Sequence, residues 1–225
     1  MGSSMQNDEL PYSVGMATSV DNLRLACAVR RAAYSHHDPE IGEKLGQIET
    51  LDLAEGTAVL FCRDKASGDC IGTIRVQVSG FDRLLVEQSV ELPDWLAQRS
   101  RAQISRLAIC AGADPRVKLS LMKASYQYCL AMQVRWMVIG ARSAALIRNY
   151  RSLGFRDVFE DGGWRALASG GGLPHQILAF DVPGAEAAWR STRNRLYGFM
   201  TDKPLADLQP QAANDSQLQP LVRAA

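Results

Sequence analysis

The chain contains 225 residues, of which 47% are hydrophobic and 22% are charged. These proportions are typical of a soluble globular protein with a sizeable core, and the length fits one large domain better than two small ones. The formal net charge of +1 excludes a strongly basic nucleic-acid-binding protein on overall charge, although it leaves a local basic patch open.

The five cysteines favour reduced thiols over disulfides or a metal site. They are odd in number and widely spaced, no CxxC pair occurs, and no Cys/His group has zinc-ligand spacing. The apolar runs fall far short of the ~20 residues that cross a bilayer, and no signal peptide is visible. We therefore expect a cytoplasmic protein without a bound metal and without stable membrane insertion.

The first part of the chain predicts one helix between two irregular segments. Residues 1–17 carry no periodic pattern, and we expect a flexible N-terminus there. Thr18 or Ser19 can cap a helix over about 20–34, where apolar residues recur at helical spacing. Residues 35–56 are rich in glycine and acidic residues and predict a long loop, which in compact domains usually has a lid or binding function.

A hairpin and a third strand follow. Residues 57–63 and 70–78 have the composition of β-strands, and the segment between them has that of a hairpin turn. Residues 80–101 are mixed, with a short helix at best after Leu92. Residues 103–110 (QISRLAIC) predict another strand.

The second half alternates helices and strands. The predicted elements are a helix over about 116–132, a strand over 136–140, a helix over 144–153 ended by Gly154, closing strands over 155–159 and 176–182, and an amphipathic helix near 185–197. Residues 201–225 are polar and rich in Gln, Pro and Asp, and we expect a disordered tail. This order predicts one α/β (α+β) domain over 18–200 on a mixed sheet.

Residues 143–155 (SAALIRNYRSLGF) resemble the closing segment of GNAT acyltransferases, where a short helix ends in a tyrosine and a Leu-Gly-Phe turn. The resemblance implies a GNAT-like fold with a central mixed, splayed β-sheet flanked by helices. It also implies that Tyr150 protonates the leaving thiolate of a thioester. The alternative is a helix tyrosine that fills the core.

The loop after the third strand departs from ordinary GNAT enzymes. Those bind the pyrophosphate of coenzyme A with a glycine-rich loop and a helix N-terminus. Residues 110–120 read CAGADPRVKLS here, so the second glycine is absent and Asp114 would repel a diphosphate. Free coenzyme A is therefore a poor fit.

A narrower resemblance covers roughly residues 20–160. The chain is similar to the acyl-homoserine-lactone synthases and, more closely, to the N-acyl amino acid synthases of the FeeM type. The residues that carry this likeness are Arg30 and Tyr34 on the first helix, Glu49 and Asp52 in the long loop, Arg75 in Gly72-Thr73-Ile74-Arg75, and Ser105 with Arg106 in QISRLAI. The resemblance implies that they surround one substrate pocket. It also implies that acyl carrier protein delivers the acyl group on its phosphopantetheine, with no further cofactor.

Three departures count against lactone synthesis. Autoinducer synthases carry a tryptophan where this chain has His36 and His37, an aspartate at Glu49, and a glutamate at Gln103. In that family these groups help to hold S-adenosylmethionine. Their loss favours a simpler amino-acid acceptor.

Thioester aminolysis needs a deprotonated amine and an acceptor held in place. Glu49 or Asp52 could take the proton from the acceptor ammonium, and backbone N–H groups of the 103–110 strand could stabilise the oxyanion. Arg75 and Arg106 lie in apolar strands, where each guanidinium needs a carboxylate partner. That partner is either the acceptor carboxylate or, for Arg106, Glu49 or Asp52.

Two further groups of residues would serve the donor. Six basic residues and one acid lie between Arg99 and Lys123, an excess suited to the acidic carrier protein. The predicted carrier contacts are Arg116, Lys118 and Lys123, and the predicted acyl-chain and pantetheine contacts are Leu107, Ile109, Met122, Tyr126 and Met137. Nucleic acid is not expected as a partner, since aromatic residues do not alternate with the charges.

The sequence thus predicts an N-acyltransferase that moves a medium- or long-chain fatty acyl group from acyl carrier protein to an amino acid. The alternatives are an autoinducer synthase, an acetyl-coenzyme A-dependent GNAT N-acetyltransferase, and a non-catalytic module that binds an acyl carrier.

Overall fold

The computed structural model describes residues 10–79 and 83–201. The predicted disordered tail falls almost wholly outside these residues, and so do the first nine residues of the predicted flexible N-terminus. The chain divides into two compact units. The described residues of the N-terminal unit are 10–76 and 106–128, and those of the C-terminal unit are 77–79, 83–105 and 129–201.

The described residues form eight strands and seven α-helices. The strands are β1 (Tyr12–Met16), β2 (Thr57–Asp64), β3 (Cys70–Val78), β4 (Arg101–Ile109), β5 (Trp136–Ala141), β6 (Arg156–Asp157), β7 (Arg165–Leu167) and β8 (Leu173–Asp181). The helices are α1 (Val20–Ser35), α2 (Pro39–Leu45), α3 (Asp94–Ala97), α4 (Arg116–Ala131), α5 (Ala144–Leu153), α6 (Ala185–Ser191) and α7 (Tyr197–Thr201). Strands β3 and β4 have residues in both units.

The N-terminal unit orders its strands β1-β2-β3-β4, with β1 antiparallel to β2. Ala108 belongs to a cluster with Val29 of α1, whereas its neighbour Ile109 packs with α4 side chains beside Gly72. Because successive strand residues point to opposite faces, α1 and α4 cover opposite faces of these strands. A Cβ at Gly72 would lie 2.6 Å from the Val117 side chain, so glycine permits the close approach of α4.

Two predictions for this unit were wrong. Residues 12–16 form β1 rather than a flexible segment, because they pair with β2 along their whole length. The predicted loop over 35–56 contains α2 and a 3-10 turn over Thr50–Leu53. Asp38 caps α2 through the N–H groups of its first turn, and Pro39 occupies a position where a missing N–H costs nothing.

The C-terminal unit orders its strands β4-β5-β8-β6, and β7 pairs with β8. Strand β8 runs antiparallel to β5, β6 and β7, while β4 runs parallel to β5. The register of β4 with β5 joins Arg101–Ile104 to Trp136–Ile139, fewer than half of the residues of β4. Such a short parallel ladder fits the predicted splayed sheet.

The ends of α5 follow the sequence closely. Ser143 accepts a hydrogen bond from the Leu146 N–H, and Gly154 ends the helix with a φ of 107°. Three details of this unit were wrong. The predicted strand over 155–159 shortens to β6, the predicted helix over 185–197 divides into α6 and α7, and β7 was missed.

The predicted fold class, α/β with a mixed sheet flanked by helices, is confirmed. The prediction of one domain over 18–200 stays a prediction. No helix among the described residues combines the length and the apolar composition that crossing a membrane requires.

Candidate active site

Five charged side chains from four separate stretches meet in the N-terminal unit, and we call them the ion-pair cluster: Arg30, Glu49, Asp52, Arg75 and Arg106. Arg30 donates to both oxygens of Asp52, at 2.7 and 3.0 Å. Arg75 Nη1 bridges the two carboxylates, 3.1 Å from Asp52 and 2.9 Å from Glu49. Arg106 holds Glu49 with Nε and Nη2, each at 2.7 Å.

Secondary structure fixes each of these groups. Arg30 lies on α1, Arg75 on β3 and Arg106 on β4. Glu49 directly precedes the 3-10 turn, and Asp52 lies within it. The Glu49 N–H donates to Asp52 Oδ2 at 3.0 Å, which ties the two acids together. Arg106 has a φ of 55°, a value uncommon for a residue other than glycine. Such local irregularity within a strand commonly redirects one side chain.

Burial divides the cluster into a base and a rim. The side chains of Arg30, Asp52 and Arg75 are 0% exposed, and we call them the base. Glu49 is 21% exposed and Arg106 is 13% exposed, and we call this pair the rim. The prediction that Arg30, Asp52 and Arg75 contact the substrate directly is therefore wrong, because their side chains are buried. The internal pairing of Arg106 with Glu49, one of the two alternatives, is confirmed.

The electrostatics of the rim argue against Glu49 as a proton acceptor. Burial alone would raise the pKa of Glu49, but the hydrogen bonds and charge of Arg106, together with Arg75 and Arg30, lower it to about 2. A carboxylate this acidic stays charged but has little tendency to take a proton from an ammonium group. The structure thus favours Glu49 as a binding group over Glu49 as the general base.

Tyr34, Ser105 and Cys27 lie around this cluster. Tyr34 is half-buried and packs with Ala108. Burial lowers the pKa of Arg106, but Glu49 and, to a smaller extent, Tyr34 raise it. Ser105 is half-buried next to Arg106 on β4. Cys27, which the sequence did not single out, receives a 3.9 Å contact from Arg30 Nη1 and donates to the Gln47 carbonyl. Its spacing of three residues from Arg30 on one helix could have indicated it.

A second feature of this unit is a hollow of about 650 Å³ at the loop between β4 and α4. It is lined by Pro11, Tyr12, Asp64, Ser67, Ile71 and residues 110–115. Asp114, which the sequence predicts would repel a diphosphate, pairs with Arg116 at 2.7 Å. Tyr12, missed by the sequence reasoning, lies 3.0 Å from the Ser120 hydroxyl.

The predicted carrier contacts do not form one exposed basic face. Lys123 is fully buried, because α4 packs its side chains on nearly all sides. The prediction that Lys123 contacts the carrier protein at the surface is therefore wrong. Arg116 is partly exposed but paired, and Lys118 is half-buried with a pKa lowered by burial. Arg101, counted in the same basic run, pairs with Glu87 at 2.7 Å.

The predicted acyl-chain residues divide between the units. Leu107 and Ile109 are half-buried on β4, and Met122 and Tyr126 are buried on α4, all in the N-terminal unit. Met137 is buried on β5 of the C-terminal unit. The tail-binding role of these residues stays a prediction.

Tyr150 lies in the C-terminal unit and is 3% exposed, with its ring 5.6 Å from that of Phe155. Its predicted role as the acid stays a prediction. Among the described residues, no group of three or more His, Cys, Asp or Glu side chains could hold a metal ion.

No protein-family model and no curated protein matches the chain. Solved structures do. FeeM, an N-acyl amino acid synthase from uncultured soil microbes, has a TM-score of 0.63 and 18% identity, over 84% of this chain and 97% of FeeM. TofI, solved with an inhibitor and MTA, has a TM-score of 0.53 and 15% identity, over 80% and 97% of the two chains.

A GNAT-family acetyltransferase from Staphylococcus aureus Mu50 has a TM-score of 0.51 and 11% identity, over 76% of this chain and 99% of that one. Identities this low establish the fold and nothing finer. The resemblance that the sequence predicts is confirmed at that level: this chain shares the fold of FeeM and of the GNAT-family acetyltransferase.

Proposed function

We propose that the chain is an N-acyltransferase that moves a medium- or long-chain fatty acyl group from acyl carrier protein to the amine of an amino acid. The observation that carries this proposal is the ion-pair cluster. Residues that the sequence resemblance assigned to one pocket come from four distant stretches, and five of them are in direct contact. The likeness to FeeM, an N-acyl amino acid synthase, supports the same reaction.

The rim supplies both charges that a free amino acid requires. Glu49 Oε1 accepts a hydrogen bond from Arg106 Nη2, while Oε2 accepts from Arg106 Nε and Arg75 Nη1. A carboxylate offers about four acceptor positions, so a partly exposed Glu49 can also receive the acceptor ammonium. Arg106, the other exposed member, would meet the acceptor carboxylate.

The base residues hold the rim in place before the acceptor arrives. Asp52 is fixed by Arg30 and Arg75, and Arg75 in turn holds Glu49. Charged groups fixed in this way need little rearrangement on binding, which favours both affinity and positioning. The three buried residues therefore act as positioning residues in this proposal.

Because the pKa of Glu49 is about 2, we assign it to ammonium binding rather than to proton transfer. Turnover should then rise with pH as the fraction of deprotonated amine rises. Replacing Glu49 with Gln should raise the KM for the amino acid at every pH, since it removes binding shared by the ground and transition states.

The donor side rests on the sequence resemblance. Tyr150 would protonate the leaving thiolate, and the apolar side chains of β4 and α4 would hold the acyl tail. The hollow at residues 110–115 lacks the second glycine of coenzyme A-binding loops, which supports acyl carrier protein as the donor. Lys118 and Arg116 remain the proposed carrier contacts.

One assay tests the proposed reaction. The protein is incubated with acylated carrier protein or the matching acyl-coenzyme A, with mixed amino acids and S-adenosylmethionine, and the products are identified by mass spectrometry. We expect an N-acyl amino acid, formed faster from the carrier protein. A lactone product, acetyl transfer from acetyl-coenzyme A alone, or carrier binding without product would each contradict the proposal and support one of its alternatives.

The donor preference is tested with matched lysine variants. Lys118→Glu should lower kcat/KM for the carrier-bound substrate, while Lys44→Glu, an exposed lysine on α2, should leave it unchanged. Equal turnover of carrier-bound and coenzyme A-bound acyl groups would contradict the assigned donor.

A further inference from the structure

The C-terminal unit contains a hollow of about 650 Å³ that no step of the proposed reaction uses, and we call it the tryptophan–arginine hollow. Its lining residues are Trp95, Gln98, Arg99, Ser100, Arg135 and Trp136. All of them belong to the same unit. No residue of the ion-pair cluster lines the hollow.

Two indole rings form its apolar part. Trp136 is buried, and Trp95 packs edge-on against it, with ring centroids 5.0 Å apart and planes at 74°. Trp95 is nevertheless 39% exposed. Part of an indole ring that its neighbour holds in place is thus accessible from the hollow.

Guanidinium groups lie over these rings. The Arg156 guanidinium carbon is 5.1 Å from the centroid of Trp95 and 4.9 Å from that of Trp136, and Arg135 is 5.2 Å from Trp136. An arginine held over a ring is restricted in position, yet its N–H donors can still bind an anion.

Positive charge exceeds negative charge around the hollow. Arg135 pairs with Asp181 at 2.8 Å. Over residues 10–79 and 83–201, no carboxylate lies within 4.0 Å of the Arg99 or Arg156 guanidinium. This includes the exposed Asp94, which precedes Trp95 on α3. Arg99, which lines the hollow, and Arg156, which lies over its two indole rings, are therefore available to an anionic group.

The backbone beneath these side chains is fixed. The Arg135 N–H donates to the Ser100 carbonyl and hydroxyl, at 3.0 and 2.9 Å, and the Trp136 N–H donates to the same carbonyl at 3.1 Å. Arg101 Nη1 donates to the Ala97 carbonyl at 2.8 Å. The hollow is thus organised before a ligand enters, which lowers the entropic cost of binding.

We propose that the tryptophan–arginine hollow binds a small molecule that carries both a phosphate and a flat ring, the chemistry of a mononucleotide. Arginine recognises phosphate through paired hydrogen bonds, and an exposed indole offers a surface on which a base stacks. The volume falls in the range of small-molecule sites. An acidic peptide would use the arginines but would leave the exposed indole without a matching ring.

Calorimetry and tryptophan fluorescence with AMP, inorganic phosphate and adenosine test this proposal. AMP should bind and quench the fluorescence, phosphate should bind more weakly without quenching, and adenosine should bind least. The double variant Arg99→Ala/Arg156→Ala should weaken AMP binding by at least about tenfold, because it removes charge-assisted hydrogen bonds. Trp95→Phe should abolish most of the quenching while phosphate still binds.

Arg195→Ala, an exposed arginine of the same unit that does not line the hollow, is the matched control and should bind AMP like the wild type. Circular dichroism and the melting temperature confirm that each variant is folded. The proposal is overturned if neither AMP nor phosphate binds at millimolar concentration, if the double variant binds AMP as well as the wild type does, or if a glutamate-rich peptide binds and AMP does not.

Discussion

The two arginine-rich regions of this chain differ in how their guanidinium groups are buried and paired. In the ion-pair cluster every guanidinium contacts a carboxylate, and three of the five side chains are completely buried. Around the tryptophan–arginine hollow Arg99 and Arg156 are exposed without a carboxylate partner, and Arg156 lies over the two indole rings. Buried arginines must be matched within the protein, because an unmatched charge costs several kcal/mol. Exposed arginines need no such match, so they remain available to a ligand.

This difference also separates structural residues from binding residues within the cluster. The base residues have no solvent exposure and support their neighbours. The rim pair keeps a small exposed area. Substitutions should therefore affect folding most in the base, folding and substrate binding together at the rim, and folding least in the hollow.

The largest effect is expected for the base. Asp52→Asn should lower the free energy of unfolding by about 3–5 kcal/mol, because it leaves Arg30 and Arg75 buried without their shared carboxylate. Denaturant unfolding measures the difference. Asp21→Asn is the matched control: Asp21 pairs with Arg24 at 3.0 Å, but both are exposed, so its loss should cost at most about 1 kcal/mol. Similar losses in the two variants would show that burial does not govern these pairs.

The rim should contribute stability that depends on pH. The pKa of Glu49 falls from 4.5 to about 2 on folding, so its contribution is fully present above pH 4.5 and is lost as the pH falls towards 2. The magnitude is on the order of 3 kcal/mol. The stability difference between the wild type and Glu49→Gln should be constant from pH 7 to 5 and should shrink between pH 4.5 and 2.5. A difference that stays constant over the whole range would contradict the low pKa.

The smallest effect on folding is expected in the hollow. Arg156→Ala removes contacts with two indole rings at an exposed position, and such contacts contribute about 0.5–1 kcal/mol. The melting temperature should change little. A loss as large as that of Asp52→Asn would make Arg156 a structural residue and would remove the contrast between the two regions.

The sequence predicted the cluster better than the hollow, for a physical reason. Arg75 and Arg106 interrupt apolar strands, so each had to find a carboxylate, and the acids at Glu49 and Asp52 supplied it. The lining of the hollow comes from two separate stretches, residues 95–100 and 135–136, with no shared periodic pattern. Nothing local in the sequence indicates that Arg156 lies over Trp95.

The failures in the fold have similar causes. Helix α2 was missed because seven residues are too few for a clear apolar period, although Asp38 and Pro39 are good start signals. Lys123 was placed on the surface because a charge count ignores burial. In the folded protein α4 is packed on nearly all sides, including the side that carries Lys123.

The most direct test of the account compares a free amino acid with its carboxamide as acyl acceptors. The wild type should prefer the free acid in kcat/KM by about ten- to a hundredfold, since the carboxylate adds charge-assisted hydrogen bonds to Arg106. In Arg106→Ala the preference should fall towards one. Partial unfolding lowers both rates alike and leaves their ratio unchanged. A ratio that is the same in the wild type and in Arg106→Ala would contradict the claim that Arg106 binds the acceptor carboxylate.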